Sequence, residues 1–107
     1  MAAIVISMDS RKMTNPDLDI RYLLPDRIEE WSGGAVTDDG YDYVDEGGHI
    51  LAVWLETEDA EGWWPKIVEL LKTEKFEDND LSQSALVLIS EESGAEYDQC
   101  RQVWPNG

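Results

Sequence analysis

The chain has 107 residues and a net charge of −16, from 24 acidic and 8 basic residues, while 42% of its residues are hydrophobic. This apolar content, together with five Trp, argues against a disordered chain, and the length predicts one domain spanning residues 1–107. The negative charge argues against nucleic acid and anionic membranes as partners, because both carry charge of the same sign. It favours a basic partner, although a strongly solvated surface explains the same charge equally well.

Cysteine content and the first residues indicate the cellular compartment. Cys100 is the only cysteine, which excludes an internal disulfide and a metal site built from cysteines alone, and it fits a reducing cytosol. The apolar run at residues 2–8 has no basic residue before it and is shorter than the apolar part of a signal peptide. No segment is long enough to span a bilayer. We therefore expect a cytoplasmic protein that does not bind a membrane.

The first third of the chain predicts a strand followed by a helix. Residues 2–8 are apolar and β-branched at their centre, as in a buried strand. Asn15-Pro16 predicts the helix start, because Asn caps exposed amides and Pro is tolerated in the first turn. An approximate apolar stripe that includes Tyr22 follows, and Pro25 either kinks this helix or divides it into two. Gly33-Gly34 ends the helix.

The middle of the chain predicts antiparallel strands joined by tight turns. Asp39-Gly40 is typical of a type I′ turn, which would separate a short strand at residues 35–38 from a second at residues 41–44. Gly47-Gly48 predicts the next turn. Residues 50–55 form an unbroken apolar run, which predicts a strand that is buried on both sides or lies in the middle of the sheet.

The last third predicts a second helix and two more strands. Apolar residues at helical spacing predict a helix over residues 65–75, with Trp63 and Trp64 at its start. A second unbroken apolar run at residues 85–89 predicts another interior strand, and residues 99–104 predict a strand at the edge. Core packing is the favoured role of the tryptophans, although one exposed Trp could anchor a partner.

The order of these elements predicts an α+β fold. We expect an antiparallel sheet of four to five strands with two helices on one face, in the ferredoxin-like split βαβ arrangement. The other face of the sheet would then be open, with charged residues such as Asp42 on it. Five residues of the two apolar runs are predicted to be buried: Leu51, Val53, Leu55, Val87 and Ile89.

The sequence contains no recognisable catalytic or metal-binding motif. His49 is the only histidine and has no nucleophile close to it in sequence, which is typical of an ordinary residue at a strand end. A metal site would need His49 and Cys100 with carboxylates, and nothing in their spacing supports one. The acidic residues 38–46 lack the ligand order of a calcium loop. We therefore predict no catalytic residue, no cofactor and no metal site.

Several segments together resemble a known class of small bacterial proteins. Residues 19–30 and 39–43, with the strand at 50–55 and the helix that carries Trp63 and Trp64, resemble the acidic single-domain immunity proteins encoded beside polymorphic and contact-dependent toxins. The resemblance implies a cytosolic protein without enzymatic activity that binds a cognate toxin and blocks it. It assigns no role to any individual residue.

The sequence therefore favours an acidic, non-enzymatic inhibitor of a basic protein partner, with a cognate toxin as that partner and nuclease toxins as its first candidates because their clefts are basic. Two alternatives stay open. One is a nucleic-acid mimic that inhibits a nuclease or a DNA-binding protein, and the other is a small enzyme that uses His49 with a carboxylate.

The predicted contact surface is the acidic segment that follows the first helix. It combines five acidic residues with two tyrosines at alternate positions, and tyrosine offers a large contact area with few rotatable bonds. The alternative is an exposed strand whose charges only prevent aggregation. The predicted partner-binding residues are Asp38, Asp39, Tyr41, Asp42, Tyr43, Asp45 and Glu46.

Overall fold

The computed structural model describes residues 1–15, 19–76 and 78–105, and this part of the chain forms one five-stranded sheet and two α-helices. The strands are β1 Ala2–Asp9, β2 Val36–Tyr43, β3 Ile50–Thr57, β4 Ala85–Ser90 and β5 Arg101–Trp104. The helices are α1 Ile20–Trp31 and α2 Ala60–Thr73. None of the described helices has the length and apolar character needed to cross a bilayer.

The strand order is β2-β3-β1-β4-β5, and every neighbouring pair is antiparallel. The first four strands have the order of a split βαβ arrangement, and β5 adds a fifth strand beside β4. The α+β prediction is confirmed. Residues 50–55 form an interior strand that is buried on both faces, as predicted, but β1 occupies the middle of the sheet and β3 lies one place from the edge. The apolar runs of the sequence do not distinguish these two positions.

Both helices cover one face of the sheet. Residues opposite one another in antiparallel strands share a face, so Ile4, Leu55 and Ile89 lie side by side beneath the helices. The stripe of α1 that meets them consists of Ile20, Leu24 and Ile28, and α2 contributes Ile67, Val68, Leu70 and Leu71. The five residues that the sequence assigned to the core are all buried there: Leu51, Val53, Leu55, Val87 and Ile89.

The second face of the sheet is partly covered, contrary to the prediction that it is open. Val5, Ala52 and Leu88 form a smaller core there. Residues 94–100 cross this core and are bound to it by two hydrogen bonds. The Tyr97 hydroxyl donates to the Ser7 hydroxyl at 3.1 Å, and the Trp54 Nε1–H donates to the carbonyl of Ala95 at 2.8 Å.

The helix boundaries differ from the predicted ones. Helix α1 begins at Ile20 rather than at Asn15-Pro16, and Pro16 lies outside the described residues. Asn15 is bound elsewhere, since its N–H donates to Asn79 Oδ1 at 2.7 Å and its carbonyl accepts from Asn79 Nδ2 at 2.6 Å. Pro25 lies inside one continuous helix.

Helix α2 begins five residues before the predicted start. The Asp59 carboxylate accepts the N–H of Gly62 at 3.0 Å and thereby satisfies an amide of the first turn, so Asp59 is the N-cap. Trp63 and Trp64 consequently lie within the first two turns, half-buried and packed against the main core.

Asp39-Gly40 forms a β-bulge, not the predicted hairpin turn. Asp38 is opposite Leu55 and Tyr41 is opposite Val53, so the two residues between them face one residue of β3. Gly40 has φ +98°, a conformation that glycine adopts at little cost. Residues 36–43 are therefore one bulged strand, and the chain reverses direction later, at residues 44–49.

Substitution of one buried and one exposed leucine tests the fold. Leu55 is 0% exposed and Leu23, on α1, is 40% exposed, and both lose the same atoms on change to Ala. We expect Leu55→Ala to lower the free energy of unfolding by about 2–4 kcal/mol, because it leaves a cavity. Leu23→Ala should change it by only about 0.5 kcal/mol. Urea denaturation measures both, and equal losses would contradict the assignment of β3 to the core.

Candidate functional site

The seven predicted contact residues lie together at one edge of the sheet. Those from Asp38 to Tyr43 are on β2, the edge strand, and Asp45 and Glu46 lie in the connection from β2 to β3. Six of the seven are exposed, and Asp45 is half-buried. Only Val36, at the start of β2, is buried among the residues of that strand. The strand is therefore free to carry polar and aromatic side chains.

The two faces of β2 carry different chemistry. Tyr41 and Tyr43 are opposite Val53 and Leu51, which places both tyrosines on the helix side of the sheet. Asp42 is opposite Ala52 and therefore lies on the other side. The structure brings the tyrosines together as predicted, and it places the carboxylate of Asp42 across the strand from them.

The tyrosines meet the first turn of α1 in a cluster that we call the tyrosine patch, formed by Arg21, Tyr22, Tyr41 and Tyr43. The Tyr22 and Tyr41 rings pack edge to face with centroids 6.0 Å apart. The Arg21 guanidinium lies 4.6 Å from the centroid of Tyr22 and 5.4 Å from that of Tyr41. The tyrosines are 48%, 41% and 36% exposed, in the order Tyr22, Tyr41 and Tyr43, so aromatic surface remains accessible.

The close approach of Arg21 and the tyrosines shifts the pKa values of two phenols. The neighbouring Arg21 guanidinium lowers the pKa of Tyr22, since a cation favours the ionised form. The neighbouring Tyr22 phenol raises the pKa of Tyr41. Arg21 thus fixes two rings and places one positive charge inside an otherwise acidic surface.

Arg21 and Tyr22 are the residues of this surface that sequence reasoning missed. The sequence assigned Tyr22 to the buried stripe of α1, but that stripe follows Ile20, Leu24 and Ile28. A helical register counted from Ile20 would have placed Tyr22 outside it, because residues two apart point in different directions on a helix. The contact with Tyr41 joins residues 19 positions apart, and only the fold reveals it.

Asp45 has a structural role that the sequence did not predict. Its Oδ1 accepts the N–H of Ile50 at 2.8 Å and its Oδ2 accepts the N–H of His49 at 3.2 Å. The hydrogen bond from Ile50 is the main reason that the pKa of Asp45 lies below its ordinary value. His49 Nδ1 also lies 3.6 Å from Asp45 Oδ2. The Asp45 side chain therefore holds the reversal between β2 and β3.

The tryptophans contribute to packing. The Trp31 and Trp63 rings meet edge to face at 5.7 Å, with the Lys66 ammonium 4.7 Å from the centroid of Trp63. Trp54 is half-buried over the second core and bound through its indole N–H. The prediction that Trp54, Trp63 and Trp64 pack on the core is confirmed.

Two further concave regions carry acidic residues. A cavity of about 990 Å³ lies where β1 and α2 begin and β4 ends, and one of its acids, Glu61, pairs with Arg101 at 2.7 Å. A smaller cavity of about 310 Å³ lies between the bulge and residues 94–96, with Trp54 in its wall. Within residues 1–15, 19–76 and 78–105, no cluster of three or more His, Cys, Asp or Glu could hold a metal ion.

Searches with the chain against protein-family models, curated proteins and solved structures found no match. The resemblance to immunity proteins and the partner-binding role of the acidic segment therefore stay predictions, and the physical character of the surface is the basis for any functional proposal.

The pKa of Asp45 gives a test of its structural role. A carboxylate whose pKa is lowered by folding stabilises the fold at pH values above its ordinary pKa of 3.8. This contribution disappears as the pH falls through the lowered pKa. We expect the NMR shift of the Ile50 amide to titrate with a midpoint below 3.8. Asp45→Asn keeps an acceptor oxygen and should abolish this titration. A midpoint at or above 3.8 would contradict the role of the hydrogen bond.

Proposed function

We propose that this protein is a non-enzymatic inhibitor that binds a basic protein in the cytoplasm, and that it acts as an immunity protein against a cognate toxin. The observation that carries the proposal is the position of the tyrosine patch beside exposed carboxylates of β2. Protein interfaces commonly place aromatic residues and Arg at their centre and charged residues at their rim.

The tyrosine patch supplies the features of an interface centre. Tyrosine and arginine are among the residues that contribute most to binding energy, because they bury large areas and retain polar tips. The edge-to-face packing of Tyr22 on Tyr41, with Arg21 over both rings, orders these side chains before a partner arrives. Such preorganisation lowers the entropy lost on binding.

The surrounding carboxylates supply the rim. Asp38, Asp39 and Glu46 are exposed on β2 and in the connection after it, Asp42 is exposed on the opposite side of β2, and the chain as a whole has a charge of −16. A field of this sign accelerates association with a basic surface, and carboxylates pair bidentately with arginine. A basic cleft, such as that of a nuclease, is the complementary target. A toxin gene next to this gene would favour immunity, whereas a phage setting would favour a nucleic-acid mimic.

Truncation of the aromatic rings tests the centre of the interface. In binding to an inactivated form of the protein encoded by the adjacent gene, Tyr22→Ala and Tyr41→Ala should each raise the dissociation rate by roughly tenfold or more. Tyr41→Phe keeps the ring and should have a much smaller effect. Surface plasmon resonance measures both rates. Unchanged dissociation in both Ala variants would remove the patch from the interface.

Removal of exposed charges tests the rim. Asp39→Asn with Glu46→Gln removes two exposed charges and should slow association and weaken its salt dependence, because rim charges act mainly on the association rate. Asp45 is left unchanged because it holds the turn. The matched control is Glu91→Gln with Glu92→Gln, which removes the same charge after β4. Stopped-flow measurement of the association rate from low to high ionic strength distinguishes the rim variant from the control. Equal slowing in both would mean that only total charge matters.

A further inference from the structure

The free edge of β2 is the longest unpaired edge of the described sheet. β2 has eight residues and pairs with β3, whereas β5, at the opposite edge, has four residues, an irregular register and Pro105 after it. A long exposed edge presents backbone N–H and C=O groups to which another strand can pair. The groups that occupy these positions on β2 therefore decide whether it can accept a strand.

The alternation of backbone directions identifies one outward-facing amide. The Val44 N–H donates to the carbonyl of Ile50 at 3.0 Å, so Val44 faces β3. In an antiparallel pair the backbone groups of successive residues point to opposite sides, so Tyr43 faces away from β3. The Tyr43 N–H does not remain available, because it donates to Asp42 Oδ1 at 2.8 Å.

Side-chain oxygens also accept three other N–H groups of this strand. The Asp38 N–H donates to Glu29 Oε1 of α1 at 3.3 Å, and the Gly40 N–H donates to Asp38 Oδ1 at 2.9 Å. The Val36 N–H donates to the Ser32 hydroxyl at 3.1 Å. Of these four N–H groups, the alternation along β3 places those of Val36, Asp38 and Tyr43 at the free edge, whereas Gly40 lies inside the bulge.

We infer that Glu29, Asp38 and Asp42 close the edge of β2 against strand addition by a second copy of this chain. A second copy is the relevant strand because its β2 is always present at the same concentration and has the same length. To pair, it would have to displace Glu29 and Asp42 from the edge amides of Asp38 and Tyr43, meet the bulge that the Asp38–Gly40 hydrogen bond holds, and bring its own negative charges against these carboxylates. The bulge at Asp39-Gly40 adds to the barrier, because it interrupts the regular spacing of the edge.

This inference rests on backbone hydrogen bonds and is independent of the proposed function. It has one consequence for that function: a partner at this edge would bind side chains, such as those of the tyrosine patch, instead of adding a strand. Loss of partner binding would leave the inference intact, and self-association of the variants below would leave the partner proposal intact.

The test removes the three carboxylates. Glu29→Ala with Asp38→Ala and Asp42→Ala frees the amides, and we expect this variant to form a concentration-dependent dimer in sedimentation velocity, with the wild-type chain monomeric. Glu29→Gln with Asp38→Asn and Asp42→Asn removes the same charge but keeps acceptor oxygens, and it should remain monomeric. Glu58→Ala with Glu91→Ala and Glu92→Ala removes three exposed acids elsewhere and should also remain monomeric.

Three results would overturn the inference. One is an Ala variant that is folded by circular dichroism and still monomeric, and another is association of either control to the same extent, since charge alone would then be responsible. The third is a wild-type chain that already dimerises through β2. If the Ala variant does not fold, hydrogen exchange of the wild-type chain decides: the Asp38, Gly40 and Tyr43 amides should be protected, and exchange at unstructured rates would reject their capping.

Discussion

Burial of β1 on both faces and both edges is the constraint on which the rest of the structure depends. Ile4, Ile6 and Met8 point towards the helices, while Val5 points to the other face. An apolar strand of this kind needs two flanking strands for its backbone and a covering layer on each face for its side chains. The two helices form one layer, and residues 94–100 form part of the other. The outer strands β2 and β5 then lie beside β3 and β4, the two strands that flank β1.

The distance of β2 from this core explains its composition. Only its first residue is buried, so the strand contributes little apolar area and its other positions are free to serve an edge. The carboxylates of β2 and of the connection after it divide into different groups. Asp45 holds the reversal into β3, and Asp38 and Asp42 accept backbone amides of β2, whereas Asp39 and Glu46 have exposed side chains that accept no hydrogen bond from a described residue. An acidic segment that looks uniform in sequence therefore has several physical roles.

The same division refines the candidate contact surface. The tyrosine patch lies on the helix side of β2 and draws Arg21 and Tyr22 from α1, so its composition comes from two segments that are separate in sequence. Arg21 places a cation over two rings, an attractive arrangement that also orders the aromatic side chains. Local side-chain order, exposed aromatic area and surrounding negative charge thus occur together at one edge of the sheet.

Local patterns in the sequence determined the strands at residues 2–8, 50–55 and 85–89, the α+β class and the buried residues, because periodicity and apolar runs report burial directly. They also placed Tyr41 and Tyr43 on one side of a strand, since alternation is a local property. Only the tertiary structure decided that β1 is central, that Asp39-Gly40 is a bulge and that Tyr22 meets Tyr41. The sheet order depends on which apolar runs pair, and the bulge depends on the register with β3. The tyrosine patch depends on the packing of α1 against β2. Each of these is a relation between distant residues, which no local pattern encodes.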